Sequence, residues 1–579
     1  MLDGLPLAIA QAGAFLQETG IEPRKYIEFY EQKWKELMES DEWEGAPLQD
    51  YPDRSVWTTW TISYKTIRKI NEAAANLLLL WAFLDRKDLW YGLFKSAYEA
   101  SDTAASCLSE WISDLANDEL RFTKAMRILR NYSLIEEVEE FHSYATHPVV
   151  HQWAYYYQGP KSRLKLAQLA MIVVGWAVPW RTSRDYTTLQ RRLLPHARAG
   201  STRVETGEVE LYREKNGSMD DQQEYGGLSS ICDAMHSLGE LYRNQGTLDE
   251  AEQMYQRALE GKEKASGAEH TSTLRTVNNL GLLYRDQGKL DEAEKMYRRA
   301  LQGYEKALGA GHMWTLDTVN NLGILYADQG KLDEAEKLYQ RALQDKEKAL
   351  GADHTSTIDT VTNFANLYVK QGKLEEAEKM YQRALQGNEK ALGAEHTSTL
   401  ETVNNLGILY RDQGKLELAE QMYQRALQGF EKALGANHMS TLNPVNNLGL
   451  LYAGQGKFAE AEKMYERALQ GREKAVGADQ MSTLDTVNNL GMLYADQGKL
   501  EEAEKMYRRA LLGKEKALGA EHTSTLETVN NLGSLYGDQG KLDEAEKMYQ
   551  RALQGKEKAL GGDHMSTLGT VNNLGVLGC

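Results

Sequence analysis

The sequence predicts an all-α protein in which a solenoid of stacked helix pairs follows a helical region of different design. Three observations predict it. A block of 42 residues recurs eight times and starts a ninth, with the frame LGxLYxxQGKLxEAExxYxRALxxxEKALGAxH; its glycine returns at Gly239, Gly281, Gly323, Gly407, Gly449, Gly491, Gly533 and Gly575, with Ala365 in the fourth copy. A fixed period of that length marks supersecondary units that share a core with their neighbours. Nine prolines in 579 residues, among mostly helix-forming residues, leave little room for sheet. No run reaches about 18 apolar residues, the length of a membrane span; AANLLLLWAFL (Ala74–Leu84) reads as a buried helix instead.

Composition narrows the partners. A net charge of −17 and a pI near 5.4, with no basic block, argue against nucleic acid and anionic membrane. Cys107, Cys232 and Cys579 are too few and too scattered for a disulfide framework or a zinc site, which fits a reducing, cytoplasmic setting. No secretory signal opens the chain.

Residues 1–45 read as a helical subdomain, with LPLAIAQAGAFLQ and PRKYIEFYEQKWKELM as its helices. Within 46–160, a proline-bearing loop gives way to helices. The helix DELRFTKAMRILRNY then leads into SLIEEV, a charged turn, YATH and a helix opening at Pro148, the helix–hairpin–helix order of a winged-helix unit. Residues 161–200 form a helical connector, 201–230 a polar, flexible linker, and 231–579 the array.

Numbering the repeat from Leu274, positions 4, 7, 8 and 11 (Val277, Leu280, Gly281, Tyr284) form the core face of helix A, and positions 20, 24 and 27 (Ala293, Tyr297, Ala300) that of helix B. HTSTL predicts a serine cap, with Ser398–Glu401 and Ser524–Glu527 spaced as capping boxes. Glycines such as Gly288 and Gly330 in DQGK predict left-handed closure of the helix.

At about 100° per residue, positions 2, 5, 6, 9, 12 and 13 share the face opposite the core. Positions 5 and 6 carry Asn278 and Asn279, Asn320 and Asn321, Asn404 and Asn405, Asn446 and Asn447, Asn488 and Asn489, Asn530 and Asn531, and in the fourth copy Asn363 alone. Position 9 changes: Leu282, Ile324, Asn366, Ile408, Leu450, Met492, Ser534. An asparagine ladder, with donors and acceptors beside changing pockets, suits the backbone of an extended peptide; the bland alternative is that these residues only pack between successive A helices. Positions 12 and 31 also vary, the latter as Lys262, Tyr304, Lys346, Asn388, Phe430, Arg472, Lys514 and Lys556. Much of that variation is expected away from the core. The fourth copy, with Phe364, Ala365, Val369 and Lys370, is expected to mark a distinct spot in the groove.

The frame, with LNNLGxLYxxQGK in particular, resembles the tetratricopeptide repeat of the kinesin light chain class. The resemblance implies a right-handed superhelix of about eight full repeats plus a truncated ninth, with helix-A asparagines holding a peptide. His-Thr-Ser or His-Met-Ser stands where that class has His-Pro. The front is similar to the rear half of an NB-ARC nucleotide switch, through GLPLA (Gly4–Ala8), the winged-helix-like stretch and HPVVHQW (His147–Trp153). That resemblance would make Pro6 a neighbour of the nucleotide base and His151 a phosphate-sensing histidine. Gln152 replaces the acidic partner, and only three residues precede GLPLA, upstream of which the resemblance places the phosphate loop and its magnesium-binding aspartate. Both positions are therefore expected to be vestigial, in a fragment or a degenerate relative. LQRRLLPHA (Leu189–Ala197) resembles the segment leading into the repeats of fungal NB-ARC–tetratricopeptide proteins.

His270, His312, His354, His396, His438, His522 and His564 recur a whole repeat apart, so they cannot share a metal and read as structural. There is no phosphate loop, no nucleophile setting and no cofactor motif. The expectation is a non-enzymatic protein- or peptide-binding scaffold, the ligand-sensing arm of an NLR-like fungal signalling protein. The alternatives are a kinesin light chain-like cargo adaptor or a general scaffold. Acidic residues at helix-A ends (Asp286, Asp328, Asp412, Asp496, Asp538) and at position 2 (Asp317, Asp359, Glu401, Asp485, Glu527) do not favour acidic cargo. The ninth copy stops within helix A, which predicts a sticky end capable of self-association.

Overall fold

The computed structural model describes residues 6–28, 30, 54–139, 142–179, 186–205 and 221–577, divided into two compact units, Met1–Leu241 and Tyr242–Cys579. The described part of the expected linker, 201–205 and 221–230, is helical, and the expected proline-bearing loop lies outside the described residues up to 53.

Among the described residues, the first unit is built from helices and one hairpin. Pro6–Thr19, Arg54–Ile70 and Glu72–Trp81 are followed by Tyr91–Glu99, Asp102–Cys107, Glu110–Asn117 and Glu119–Asn131. The strands β1 (Ile135–Val138) and β2 (Ser143–Thr146) pair antiparallel, Ile135 opposite Thr146 and Val138 opposite Ser143. The helices Pro148–Tyr156, Pro160–Trp176 and Tyr186–Glu205 come next. The apolar run forms the core, as its pattern predicts: Leu77, Leu78, Leu80, Trp81, Phe83 and Leu84 are each no more than 1% exposed. Asn71 starts that helix by accepting from the Ala74 amide at 2.9 Å.

LQRRLLPHA acts as a buried fastener. Arg192 grips Asp88 with two bonds of 2.8 and 2.7 Å and stacks over Trp90 at 4.0 Å. His196 accepts from the Asp85 amide through Nδ1 at 3.1 Å and places Nε2 2.7 Å from the Asp88 carbonyl. Burial holds the His196 pKa below the usual histidine value.

In the second unit, A helices from Thr271–Asp286 to Met565–Leu577 alternate with B helices from Leu248–Ser266 to Leu542–Leu560. Small residues set the approach of each pair. A Cβ on Gly281 would stand 2.8 Å from the Tyr297 ring, and one on Gly303 2.5 Å from the Leu274 side chain. The DQGK turns close as predicted, with Gly288 at φ 75° and the Lys289 amide bonded to the Tyr284 carbonyl at 2.8 Å.

The cap is corrected. His270, His312, His354, His396, His438 and His522, not the serines, are the N-cap residues. In each, Nδ1 accepts from the amide two residues on, as at Ser272, 3.3 Å away. Serine already sits inside the helix and supplies the donor, so Glu401 and Glu527 belong to no serine capping box.

Lateral links stiffen the stack. Arg299 reaches Glu263 in the preceding B helix, and Arg341, Arg383, Arg425, Arg467, Arg509 and Arg551 repeat the contact. The last glutamate of a DEAE or EEAE takes the next turn's lysine at Glu252, Glu294, Glu336, Glu378 and Glu504, as in Lys289–Glu252 at 3.0 Å.

The array also meets itself after one superhelical turn. The Gln480 amide donates to the Gln245 carbonyl, and His522 bonds the Asp286 carbonyl. A Cβ on Gly330 would stand 3.3 Å from the His564 ring. Gln480 alone among the complete helices A of this unit lacks a side-chain cap bond; its amide is engaged on the neighbouring turn.

Candidate ligand groove

The A-helix face opposite the core carries buried to half-buried asparagines beside position 9, which runs from half-buried Leu282, Ile324, Ile408 and Leu450 to exposed Asn366, Met492 and Ser534. The asparagines bind each other across copies. The position-6 carboxamide donates to the position-5 oxygen of the preceding copy: Asn321 to Asn278 at 3.3 Å, Asn363 to Asn320 at 3.3 Å, Asn447 to Asn404 at 3.0 Å, Asn489 to Asn446 at 3.3 Å, Asn531 to Asn488 at 3.4 Å and Asn573 to Asn530 at 3.3 Å.

One rung is missing. The fourth copy has Thr362 at position 5, and its hydroxyl donates to the Ile358 carbonyl of its own helix at 3.0 Å. Asn405 consequently has no hydrogen-bond partner among the described residues.

A cavity of about 370 Å³ opens at that place. Position-9 residues Ile324, Asn366 and Ile408 line it, with Asn363 and Asn405, Leu367, Leu409, Ala327 and Val369, and the rings of Tyr339 and Tyr381. Its rim carries Asp328 and Lys370, paired at 2.8 Å. The Tyr381 hydroxyl donates to the Asn366 oxygen, and Tyr549 is hydrogen-bonded to Ser534. With apolar residues at position 9, Leu282 and Ile408, the matching Tyr297 and Tyr423 hydroxyls are buried without a partner among the described residues, and burial pushes both pKa values up. Polar changes at position 9 therefore also serve the tyrosine beneath. Farther along, Asp496 is pushed up by burial and by the neighbouring Asp538.

Position 31 is corrected. Its side chains lie in the core between a B helix and the next A helix, all between 1% and 5% exposed. Lys262 reaches Thr276 at 3.2 Å; Lys346 reaches Asp317 at 2.7 Å and the Ser356 carbonyl at 3.2 Å. Lys514 pairs with Asp485 at 2.9 Å, and Arg472 bonds Asn443 at 2.8 Å and Thr486 at 2.6 Å. Burial pushes the Arg472 pKa down to about 10. A flexible stem brings the charge to carbonyls and hydroxyls that a single-helix wheel does not show. Asp317 and Asp485 at position 2 thus compensate internal lysines.

In the first unit, Pro6 opens the helix Pro6–Thr19, and its side chain lies outside the described residues. His151 Nε2 lies 2.9 Å from the Trp81 carbonyl and 3.0 Å from that of Leu84, closing a helix end. Among the described residues, no three His, Cys, Asp or Glu side chains gather to hold a metal, and no helix is long and apolar enough to cross a membrane.

The tetratricopeptide repeat model matches residues 230–306, 271–348, 314–390, 357–432, 398–474, 482–558 and 525–577, more than half of the chain. The chain belongs to the tetratricopeptide repeat family. The repeats account for the array. A nucleotide-binding leucine-rich repeat (NLR)-like protein of the fungus Hyaloscypha variabilis is 33% identical over 287 residues, 48% of this chain and 25% of that protein. The chain thus spans about a quarter of that relative's length. Among solved structures, a Podosopora anserina putative kinesin light chain with nearly identical TPR-like repeats is 23% identical, covering 35% of this chain and 97% of that one, at TM-score 0.30. A signal transduction ATPase with a tetratricopeptide repeat sensor, from Pyrococcus horikoshii, is 14% identical over 99% of this chain and 75% of that one, at TM-score 0.43.

Proposed function

We propose that this chain is the ligand-binding arm of an NLR-like fungal signalling protein and takes a protein or peptide segment into the groove of its A helices. The observation that carries this is the cavity at the third to fifth copies, where apolar position-9 side chains and asparagine carboxamides share one concave wall. Such a mix of apolar lining and a few polar groups is what ligand pockets of this size use. The similarity to the NLR-like protein supports the signalling context.

The working compartment is cytoplasmic and the role is binding, without catalysis or cofactor. Pro6 and His151 are former nucleotide contacts, in keeping with a His151 ring engaged on helix-end carbonyls. The last A helix exposes Met565, Leu568, Val571 and Val576, a surface for self-association.

The test is binding of the full chain to a peptide array. Discrete bound sequences support the reading. Preference for acidic, tryptophan-bearing peptides would favour a cargo adaptor, and binding of nothing would favour a general scaffold. Retention of ATP or ADP by the purified protein would overturn the assignment of Pro6 and His151.

A further inference from the structure

The groove is made of near-identical copies, so a ligand needs some feature to choose its register. Among the asparagine rungs described above, the one that Thr362 removes singles out one place. Where a rung is closed, the position-6 NH2 and the position-5 oxygen already satisfy each other, and a ligand must compete with a bond of 3.0 to 3.4 Å. At Asn405 the whole carboxamide is unengaged, and it lines the cavity.

We infer that Asn405 is the anchor of a single-register site in which an extended peptide sets one main-chain amide against its carboxamide and places an uncharged, apolar side chain in the cavity between Ile324 and Ile408. The inference rests on the groove reading above and adds the address and the ligand chemistry. A primary carboxamide offers donor and acceptor together, the complement of the C=O and N–H of a peptide unit. Asn363, whose NH2 is engaged by Asn320, keeps acceptor capacity at the same wall. Asn366, whose oxygen takes the Tyr381 hydroxyl, keeps its NH2.

The apolar choice follows from the walls, which are Ile324, Ile408, Leu367 and Val369 among others. The uncharged choice follows from the rim. Lys370 is the only cation among the position-13 residues from the second to the eighth copy, and Asp328 neutralises it at 2.8 Å. An incoming carboxylate or ammonium would have to break that pair while losing its own hydration.

The experiment uses the full chain and a displayed library of random linear peptides, selected on the wild type and then measured on two variants. Thr362→Asn supplies the missing acceptor and closes the rung with Asn405, so affinity should fall about tenfold or more, as expected when a buried polar contact is lost. Thr362→Ser keeps a hydroxyl and should bind like the wild type. Selected peptides should share an uncharged apolar residue and no required charge. Equal affinity on Thr362→Asn, equal loss on both variants, or a required charged residue would overturn this site and leave the groove reading standing. Failure to select any peptide on the wild type would overturn both.

Discussion

Between the sixth and seventh copies, Asn489 donates to Asn446 at 3.3 Å; between the fourth and fifth, the equivalent Asn405 faces Thr362 and has no partner among the described residues. At one place the asparagine joins two repeats, and at the other it is left unengaged among the described residues. The difference teaches that in a repeat array the same residue type is engaged or left open according to one neighbour in the preceding copy. A second contrast runs alongside: Ala365 replaces glycine where the other copies bring the tyrosine ring close.

The largest expected effect tests that second contrast. Gly407→Ala puts a Cβ 2.7 Å from the Tyr423 ring and should cost about 1–3 kcal/mol by overpacking. Ala365→Gly should cost about 1 kcal/mol, through helix propensity and the loss of one buried methyl. Urea unfolding of both variants checks the ranking, and equal costs would remove the distinction between the copies.

Acid separates the copies by their caps. Burial lowers the pKa of His438, His522 and His564. The unfolded chain therefore takes up more protons, and cap stability present near neutrality is lost as pH falls below about 6.5 and through the folded values. Each cap should lose about 1 kcal/mol at most. Amide exchange at pH 7 and about pH 5 should change more in helices Met439–Gly454, Thr523–Asp538 and Met565–Leu577 than in helix Met481–Asp496, capped at Gln480 without a side-chain bond. A uniform response would contradict the cap assignment.

A finer comparison uses the ladder. Asn447→Ala removes a 3.0 Å bond and should cost about 0.5–1.5 kcal/mol. Asn405→Ala should stay within about 0.5 kcal/mol, as for a side chain without partners. Matching losses at both positions would mean that Asn405 has a structural partner after all. Gln480→Ala removes one bond between superhelical turns, for about 0.5–1 kcal/mol. It should slightly increase the radius measured by solution scattering, and an unchanged radius would show that the contact does not hold the turn.

Much of this was legible in the sequence. The period placed the helices, the glycine turns and the two core faces, because those depend on contacts within one copy. The divergent fourth copy was legible too, through Phe364, Ala365, Val369 and Lys370. The histidine caps were not, since HTSTL offers several capping side chains and local pattern does not choose among them. Lys346 and Arg472 read as surface residues on a single helix, and only the next A helix shows them to be internal. Thr362 stood in plain view, but the bond it removes would join residues in different copies, so nothing local announced it. In the front unit, Arg192 and His196 gave no sign that their partners lie near Asp88.

The central claim is that Thr362 keeps one rung of the asparagine ladder open. Amide exchange in helix Thr397–Asp412 of the Thr362→Asn variant tests it most directly. The account predicts slower exchange there, equivalent to about 0.5–1.5 kcal/mol of added local stability, with distant copies unchanged. Unchanged or faster exchange in that helix would contradict it.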